Sequence, residues 1–232
     1  MKNKLITLFS ALALTTTVNV SAANLITNGN FETGDLTGWQ TNNNNTSQNG
    51  NVQVTQAGPF ASAQGMDNYY ALLGAGTSDG TSRLRQDFDV TGTNEITVSF
   101  DWAFDYWDNS ASADDTFLSF VRQDGSPAYR ITMLDLQTNG TGFFDPDGGL
   151  SYGSFSETYD ISNYVTDDAR LVFRLTEESD NSFFTGTASV VGIDNVSVYA
   201  TPAVPEPSTY AMFGMAFAIL GVVGYRSRKD QK

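Results

Sequence analysis

The residues best suited to chemistry in this chain form one dense cluster of acids and aromatic rings. It comprises Asp101, Trp102, Asp105, Tyr106, Trp107, Asp108, Asp114 and Asp115. Aromatic rings stack on sugar faces, while carboxylates accept hydrogen bonds from hydroxyls or bind divalent cations. Trp102 is in phase with its apolar neighbours, so Tyr106 and Trp107 are the candidate ligand-binding residues. The alternative is a core of rings beside a solvated face of aspartates.

Other common kinds of catalytic site are excluded by what the chain lacks. It contains no histidine, which removes histidine-based triads, histidine-ligated zinc and the commonest general base. Neither a Gly-x-Ser-x-Gly elbow nor a phosphate-binding loop is present. An enzyme built on this sequence would need paired carboxylates, as glycosidases do. A binding or structural role is therefore favoured over catalysis.

Charge further limits the partners of the central part of the chain. All acidic residues except Glu206 and Asp230 lie within residues 24–204, which leaves 24 acids there against six arginines, a net charge of −18. Such a surface repels a phosphate backbone, so nucleic acid is not an expected partner. The 181 residues of this span suffice for one domain with a sizeable core and no disulfides.

Hydrophobic alternation predicts the fold class of this domain. Apolar residues occupy every second position from Ile96 to Phe104, and shorter alternating runs cover residues 83–90 and 170–175. A period of two with one apolar face favours antiparallel strands in a sandwich. Further strands are expected near residues 25–26, 52–54, 69–73, 116–122, 128–134 and 191–198. Residues 40–51 and 139–149 are expected to be loops, and residues 159–164 a turn.

The start and the end of the domain carry a family resemblance. Asn28-Gly-Asn-Phe-Glu32, followed by Gly34-Asp35 and Gly38-Trp39, resembles the opening of galactose-binding-like modules, which include carbohydrate-binding modules. The strand around Val191–Val198 resembles their closing strand. The resemblance implies an all-β jelly-roll sandwich spanning residues 24–200. It also implies a calcium ion tying the first loop to the last strand, with Glu32 and Asp194 at those two places.

The last predicted strand also changes parity. Val191 and Ile193 share one parity and Val196 and Val198 the other, so a continuous strand would place the two pairs on opposite faces. An inserted residue near Asp194 would correct the phase, which predicts a β-bulge. A bulge beside a carboxylate is a plausible cation site, although calcium needs six to eight oxygens. Alternatively, Asp194 hydrogen-bonds a neighbouring turn.

Both ends of the chain carry transport signals. Residues 1–23 combine Lys2 and Lys4, an apolar run and a small-residue cleavage site, the pattern of a secretory signal peptide. At the other end a linker over residues 201–209 precedes an apolar span over 210–225 and a basic tail over 226–232. As a helix the sixteen-residue span reaches ~24 Å, somewhat short of a ~30 Å hydrocarbon core. The basic tail would remain in the cytoplasm.

This tail resembles the PEP-CTERM sorting signal, which is processed by the membrane enzyme exosortase. The matching residues are Val204, Pro205, Glu206, Pro207, Ser208, Arg226, Arg228 and Lys229. The resemblance implies an inner-membrane precursor that is later released to the cell surface or the medium. A binding or structural component of exopolysaccharide or biofilm matrix is the predicted role. A surface glycosidase and a permanently anchored periplasmic domain are the alternatives.

Overall fold

The structure is a computed structural model that describes residues 22–41, 52–57, 60, 65–66, 68–74, 80–106, 115–123, 129–137, 149–177 and 189–202. These residues contain ten strands. They are β1 (Gln40–Thr41), β2 (Val52–Thr55), β3 (Tyr70–Leu73), β4 (Gly80–Asp89), β5 (Thr93–Tyr106), β6 (Thr116–Gln123), β7 (Arg130–Gln137), β8 (Gly149–Asp160), β9 (Asp168–Glu177) and β10 (Val190–Pro202).

The strands form two five-stranded antiparallel sheets packed face to face. Sheet I has the order β1-β4-β9-β6-β7, and sheet II has the order β2-β3-β10-β5-β8. Most neighbours in each sheet are distant in sequence, because the chain crosses repeatedly from one sheet to the other. The predicted all-β jelly-roll sandwich is confirmed.

The core lies between the sheets and is built by the alternation seen in the sequence. Phe100 of β5 and Phe173 of β9 are almost completely buried and meet edge to face, with ring centroids 5.0 Å apart. Phe104 of β5 faces Phe117 of β6 across the same interior, at 6.2 Å. Burial of each such side chain stabilises the fold by roughly 1.5–3 kcal/mol. The apolar residues of a strand therefore decide which of its faces packs against the other sheet.

β10 has a register irregularity at the position where the sequence predicts a bulge, and this irregularity corrects the parity change. Asp194 pairs with Asp101 and Ser197 with Ser99, so two residues of β10 stand where β5 has one. Asn195 takes a left-handed conformation there, with φ of 50°. The predicted bulge is confirmed, and it allows Ile193 and Val196 both to be buried.

Two local predictions were wrong, and one strand was not predicted. Gln40 and Thr41 pair with Arg85 and Leu84 as β1 instead of opening a loop. Leu25–Ile26 is no strand of its own, because only an isolated bridge from Asn24 to Tyr199 forms there. The sequence predicted no strand over Gly149–Asp160, yet β8 pairs along its length with β5. β8 is an edge strand in which six of the twelve residues are serine, glycine or threonine, and it exposes most of its residues and has weak apolar alternation.

The predicted signal peptide lies almost wholly outside the described residues, and the predicted membrane helix over 210–225 lies wholly outside them. Within the described part of the chain, no helix has the length and apolar character needed to cross a membrane.

Candidate functional site

The two residues proposed to hold calcium lie on segments that touch each other. Asp194 is fully buried beside the bulge, where its Oδ1 accepts the N–H of Asn195 at 2.7 Å. Glu32 is exposed, and its Oε1 accepts the N–H of Tyr69 at 3.4 Å. No group of three or more potential metal-binding side chains occurs among the described residues. Because calcium takes six to eight oxygens, these carboxylates alone do not complete its coordination sphere, and the ion stays a prediction.

The cluster of acids and rings is divided between the two sheets. Asp101 and Asp105 lie on β5 in sheet II, whereas Asp115 directly precedes β6 in sheet I. Asp115 is buried and accepts a hydrogen bond from the hydroxyl of Ser189. Trp102 packs against the core, as its phase predicts. Asp115 therefore does not join Asp101 and Asp105 on an exposed surface.

Asp101 has structural partners beside the bulge of β10. Asp101 accepts hydrogen bonds from Asn195 Nδ2 at 2.9 Å and from the hydroxyl of Ser154. Asn195 Nδ2 also donates to the carbonyl oxygen of Gly65 at 3.1 Å. Asp101 thus stabilises the conformation of the bulge. Asp105 is partly buried, and burial raises its pKa.

The remaining members of the cluster include the candidate ligand-binding residues. Tyr106 is the last residue of β5, but its side chain lies outside the described part, as do Trp107, Asp108 and Asp114. Their role as ligand-binding residues stays a prediction.

A different surface stands out by its charge. Every basic residue between Leu5 and Tyr225 is an arginine, and all six arginines project from the outer face of sheet I. They alternate with inward-facing residues on four adjacent strands, and we call this surface the arginine face: Arg83, Arg85, Arg122, Arg130, Arg170 and Arg174.

Strand register places several of these arginines directly opposite one another. Arg83 of β4 is paired with Arg174 of β9, and Arg122 of β6 is paired with both Arg170 of β9 and Arg130 of β7. Like charges at directly opposite positions destabilise a sheet. Repulsion between these arginines therefore destabilises the sheet, and packing of the core does not require arginine at these positions.

The centre of the arginine face has an apolar floor. Leu118, Phe120 and Val172 project outward from β6 and β9, yet only 3%, 8% and 4% of their surfaces are exposed. The guanidinium carbon of Arg130 lies 4.2 Å from the centroid of the Phe120 ring, a cation–π contact. Long arginine stems can cover apolar surface while their charged ends stay in water. The surface offered to a ligand is consequently polar.

One arginine of the face is paired with a carboxylate. Asp87 accepts hydrogen bonds from Nε of Arg170 and, at 2.9 Å, from a terminal nitrogen of the same guanidinium. This hydrogen bonding, opposed by partial burial, lowers the pKa of Asp87. The pair is partly exposed, with side-chain exposures of 12% and 37% for Arg170 and Asp87.

Other guanidinium groups on the face are incompletely satisfied. The Nε atoms of Arg85, Arg122 and Arg174 are buried without a hydrogen-bond acceptor among the described residues. Burial lowers the pKa of Arg174, and the charges of Arg83 and Arg130 lower it further, opposed by the charge of Asp135. The face therefore holds more positive charge and more N–H donors than its own carboxylates match.

Sequence reasoning recognised the outward phase of the arginines on β4 and β9 but missed the arginine face. The available signal was that no lysine or arginine occurs elsewhere between residues 5 and 225. What the sequence lacked was the adjacency of β4, β9, β6 and β7, which follow one another in the sheet but not in the chain.

Comparison with known proteins first concerns the end of the chain. Residues 203–229 match the family model described as the PEP-CTERM protein-sorting motif. The tail is a PEP-CTERM sorting signal. This motif marks the protein as exported with a C-terminal membrane-anchoring sorting segment, and the predicted recognition is confirmed. The PEP-CTERM residues lie outside the described part of the structure. A search of curated proteins finds no match to the chain.

Solved structures resemble the sandwich that precedes the PEP-CTERM tail. The enzymatically active domain of bacteriophage CBA120 tailspike protein 4 is 14% identical, with a TM-score of 0.51 over 77% of this chain and 21% of the other. TmCBM61 bound to β-1,4-galactotriose is 14% identical, with a TM-score of 0.48 over 77% and 99%. The CBM22-1 xylan-binding domain of Paenibacillus barcinonensis Xyn10C is 13% identical, with a TM-score of 0.46 over 79% and 98%. At such identities the likeness describes the fold alone.

Proposed function

We propose that this exported protein is released from the inner membrane by exosortase and binds polysaccharide at the cell surface or in the extracellular matrix. The PEP-CTERM match at residues 203–229 supports processing at the membrane. The arginine face supports binding of an extended polar chain. In this role the protein is a binding or structural component of the matrix and not an enzyme.

The observation that carries the binding role is the arginine face itself. It spans four adjacent strands and collects all six basic residues of an otherwise acidic domain. Guanidinium groups present several N–H donors in a fixed plane, and polysaccharides expose many oxygen acceptors. Neighbouring strands lie about 4.8 Å apart, so the face offers donors at regular intervals to a chain lying across the sheet.

A glycan array tests this function directly. The mature protein released by its native host should bind one or more extracellular polysaccharides, and incubation should release no new reducing ends. Binding should weaken in a variant in which Arg85 is replaced by glutamine. Absence of binding to every polysaccharide in the host matrix would overturn the binding role, and release of reducing ends would show that the domain is an enzyme.

A further inference from the structure

We propose that the arginine face selects polysaccharides that carry carboxylate groups over neutral polysaccharides. This inference rests on the proposed function and identifies the chemical class of its ligand. It follows from the charge balance of the face, from its unsatisfied donors and from the lack of exposed rings among its described residues.

The charge balance of the face favours an anion. The rows of residues that contain the six arginines include two acids, Asp87 and Asp135, and Asp87 is engaged by Arg170. The direct pairs Arg83–Arg174 and Arg122–Arg130 have no carboxylate between them in the strand register. A carboxylate placed between two such guanidinium groups reduces their repulsion and forms charge-assisted, bidentate hydrogen bonds.

The donors of the face indicate the same class of ligand. Arg85, Arg122 and Arg174 each keep an Nε–H group without an acceptor in the described structure. A buried donor that lacks a partner costs free energy. A bound carboxylate, with two oxygens and about four lone-pair directions, can supply the missing acceptors after small movements of these side chains.

Neutral sugars would need a different surface. They are commonly held by exposed aromatic rings that stack on the sugar face. The ring of Phe120 is 92% buried beneath Arg130, so it cannot serve as a platform. Among the exposed large hydrophobic residues in the described part of the chain, Tyr129 precedes Arg130 and has its ring beside that of Tyr164. The others lie on different segments: Leu150, Tyr152, Val165 and Tyr199.

The same observation argues against a protein partner, because protein interfaces usually have an apolar or aromatic centre that is exposed before binding. A nucleic acid is also disfavoured. The domain carries 24 acids besides its six arginines, and their field opposes a long phosphate backbone. At physiological salt this repulsion is screened beyond about 8 Å, so direct carboxylate–guanidinium contacts on the face can still form.

The test compares one polymer with and without its carboxylates. Polygalacturonate should bind the full mature protein, and the same polymer should bind at least tenfold more weakly after chemical reduction of its carboxyl groups to alcohols. Binding of polygalacturonate should weaken as salt rises. Dextran sulfate and duplex DNA serve as polyanions without carboxylates, and both should bind more weakly than polygalacturonate.

Each contrary result identifies a different error. Equal binding of the reduced polymer, with other glycans also bound, would leave the proposed function intact and overturn selection for carboxylates. Tighter binding of dextran sulfate would assign the face to sulfate esters, and tighter binding of DNA would assign it to nucleic acid. Failure to bind any polysaccharide would remove the proposed function and this inference together.

Variants locate the contact on the arginine face. The triple variant Arg85→Gln, Arg122→Gln and Arg174→Gln should lose at least tenfold in affinity for polygalacturonate. A control variant with the same change in net charge carries Ser151→Glu, Ser156→Glu and Asn163→Glu, all at exposed positions on β8 and the following turn. The control should lose less than threefold, since these positions lie outside the arginine face.

Two further variants keep the test decisive if the triple variant folds poorly. Arg122→Lys retains the charge but lacks the planar fork, and should bind several-fold more weakly. Asp135→Asn removes an exposed acid from the face, and should bind several-fold more tightly. Unchanged affinity in both variants, with melting temperatures like that of the wild type, would show that the arginine face does not hold the carboxylates.

Discussion

The amide nitrogen of Val196 lies 2.8 Å from the carbonyl oxygen of Gly29, which joins the first loop to the bulge of the last strand. The contact is so close that a Cβ on Gly29 would lie 1.9 Å from the carbonyl oxygen of Val196. Glycine is required at this position by the approach of two backbones. The two ends of the domain are therefore fastened to each other through main-chain contacts.

Gly29→Ala should destabilise the domain strongly, because its Cβ meets backbone atoms that cannot turn aside as a side chain could. We expect a loss of about 2–3 kcal/mol in the free energy of unfolding, measured by urea denaturation. Gly153→Ala is the matched control, since its nearest neighbours are ring atoms of Trp102 at 3.5 Å, an ordinary contact. The control should change stability by less than about 0.5 kcal/mol. Equal effects of the two substitutions would contradict the steric explanation.

Calcium should raise the melting temperature of the mature protein if Glu32 and Asp194 contribute to a site. A ligand that binds only the native state adds about 2.7 kcal/mol at one hundred times its dissociation constant. EDTA should reverse the shift. Glu32→Gln and Asp194→Ala should each reduce the difference between melts with and without calcium, whatever their effect on stability alone. Superimposable melts of metal-free wild-type protein with calcium and with EDTA would exclude the site.

The Asp87–Arg170 pair should give an acid-dependent contribution to stability. The folded-state pKa of Asp87 lies below the ordinary value of 3.8, so the native state favours the carboxylate. Its contribution is present above about pH 4 and is lost as the pH falls through the folded-state value. The stability difference between wild type and Asp87→Asn should thus be constant near neutral pH and shrink in stronger acid. In an Arg170→Gln background, Asp87→Asn should show little of this pH dependence.

Replacement of Pro205-Glu206-Pro207 by three alanines should block release without blocking export. Because proline fixes φ and removes a backbone donor, we expect this segment to be extended and the carboxylate of Glu206 to be accessible to a cationic group of the processing enzyme. Fractionation of the native host should find the variant uncleaved in the inner membrane. Deletion of residues 226–232 is the companion variant, and should misplace the protein through its topology instead. Normal release of the alanine variant would show that the Pro-Glu-Pro motif is not needed for processing and that the tail acts only as a membrane anchor.

Intact-mass measurement of the extracellular protein should show that both ends have been removed. The signal peptide over residues 1–23 and everything from about Pro207 onward should be missing from most molecules. Extracellular material that still contains residues 210–232 would contradict processing by exosortase.

The sequence alone was sufficient for the features that depend on neighbouring residues. Alternation over Ile96–Phe104 specified the inward face of β5 because side chains of a strand point to alternate sides. The parity change around Asp194 specified a bulge for the same reason. The PEP-CTERM signal was also recognisable, since its motif, apolar span and basic end follow one another directly in the chain.

The tertiary structure decided which of these faces came together. Period-two alternation states which side of a strand is buried, but it does not name the strand that lies beside it. Arg122 and Arg170 are 48 positions apart in the sequence, yet β6 and β9 place them directly opposite each other. Conversely, Asp105 and Asp115 are close in the chain, yet Asp105 lies in sheet II and Asp115 directly precedes a strand of sheet I. Pairing between distant strands is set by packing of the whole core, so the arginine face became visible only in the folded molecule.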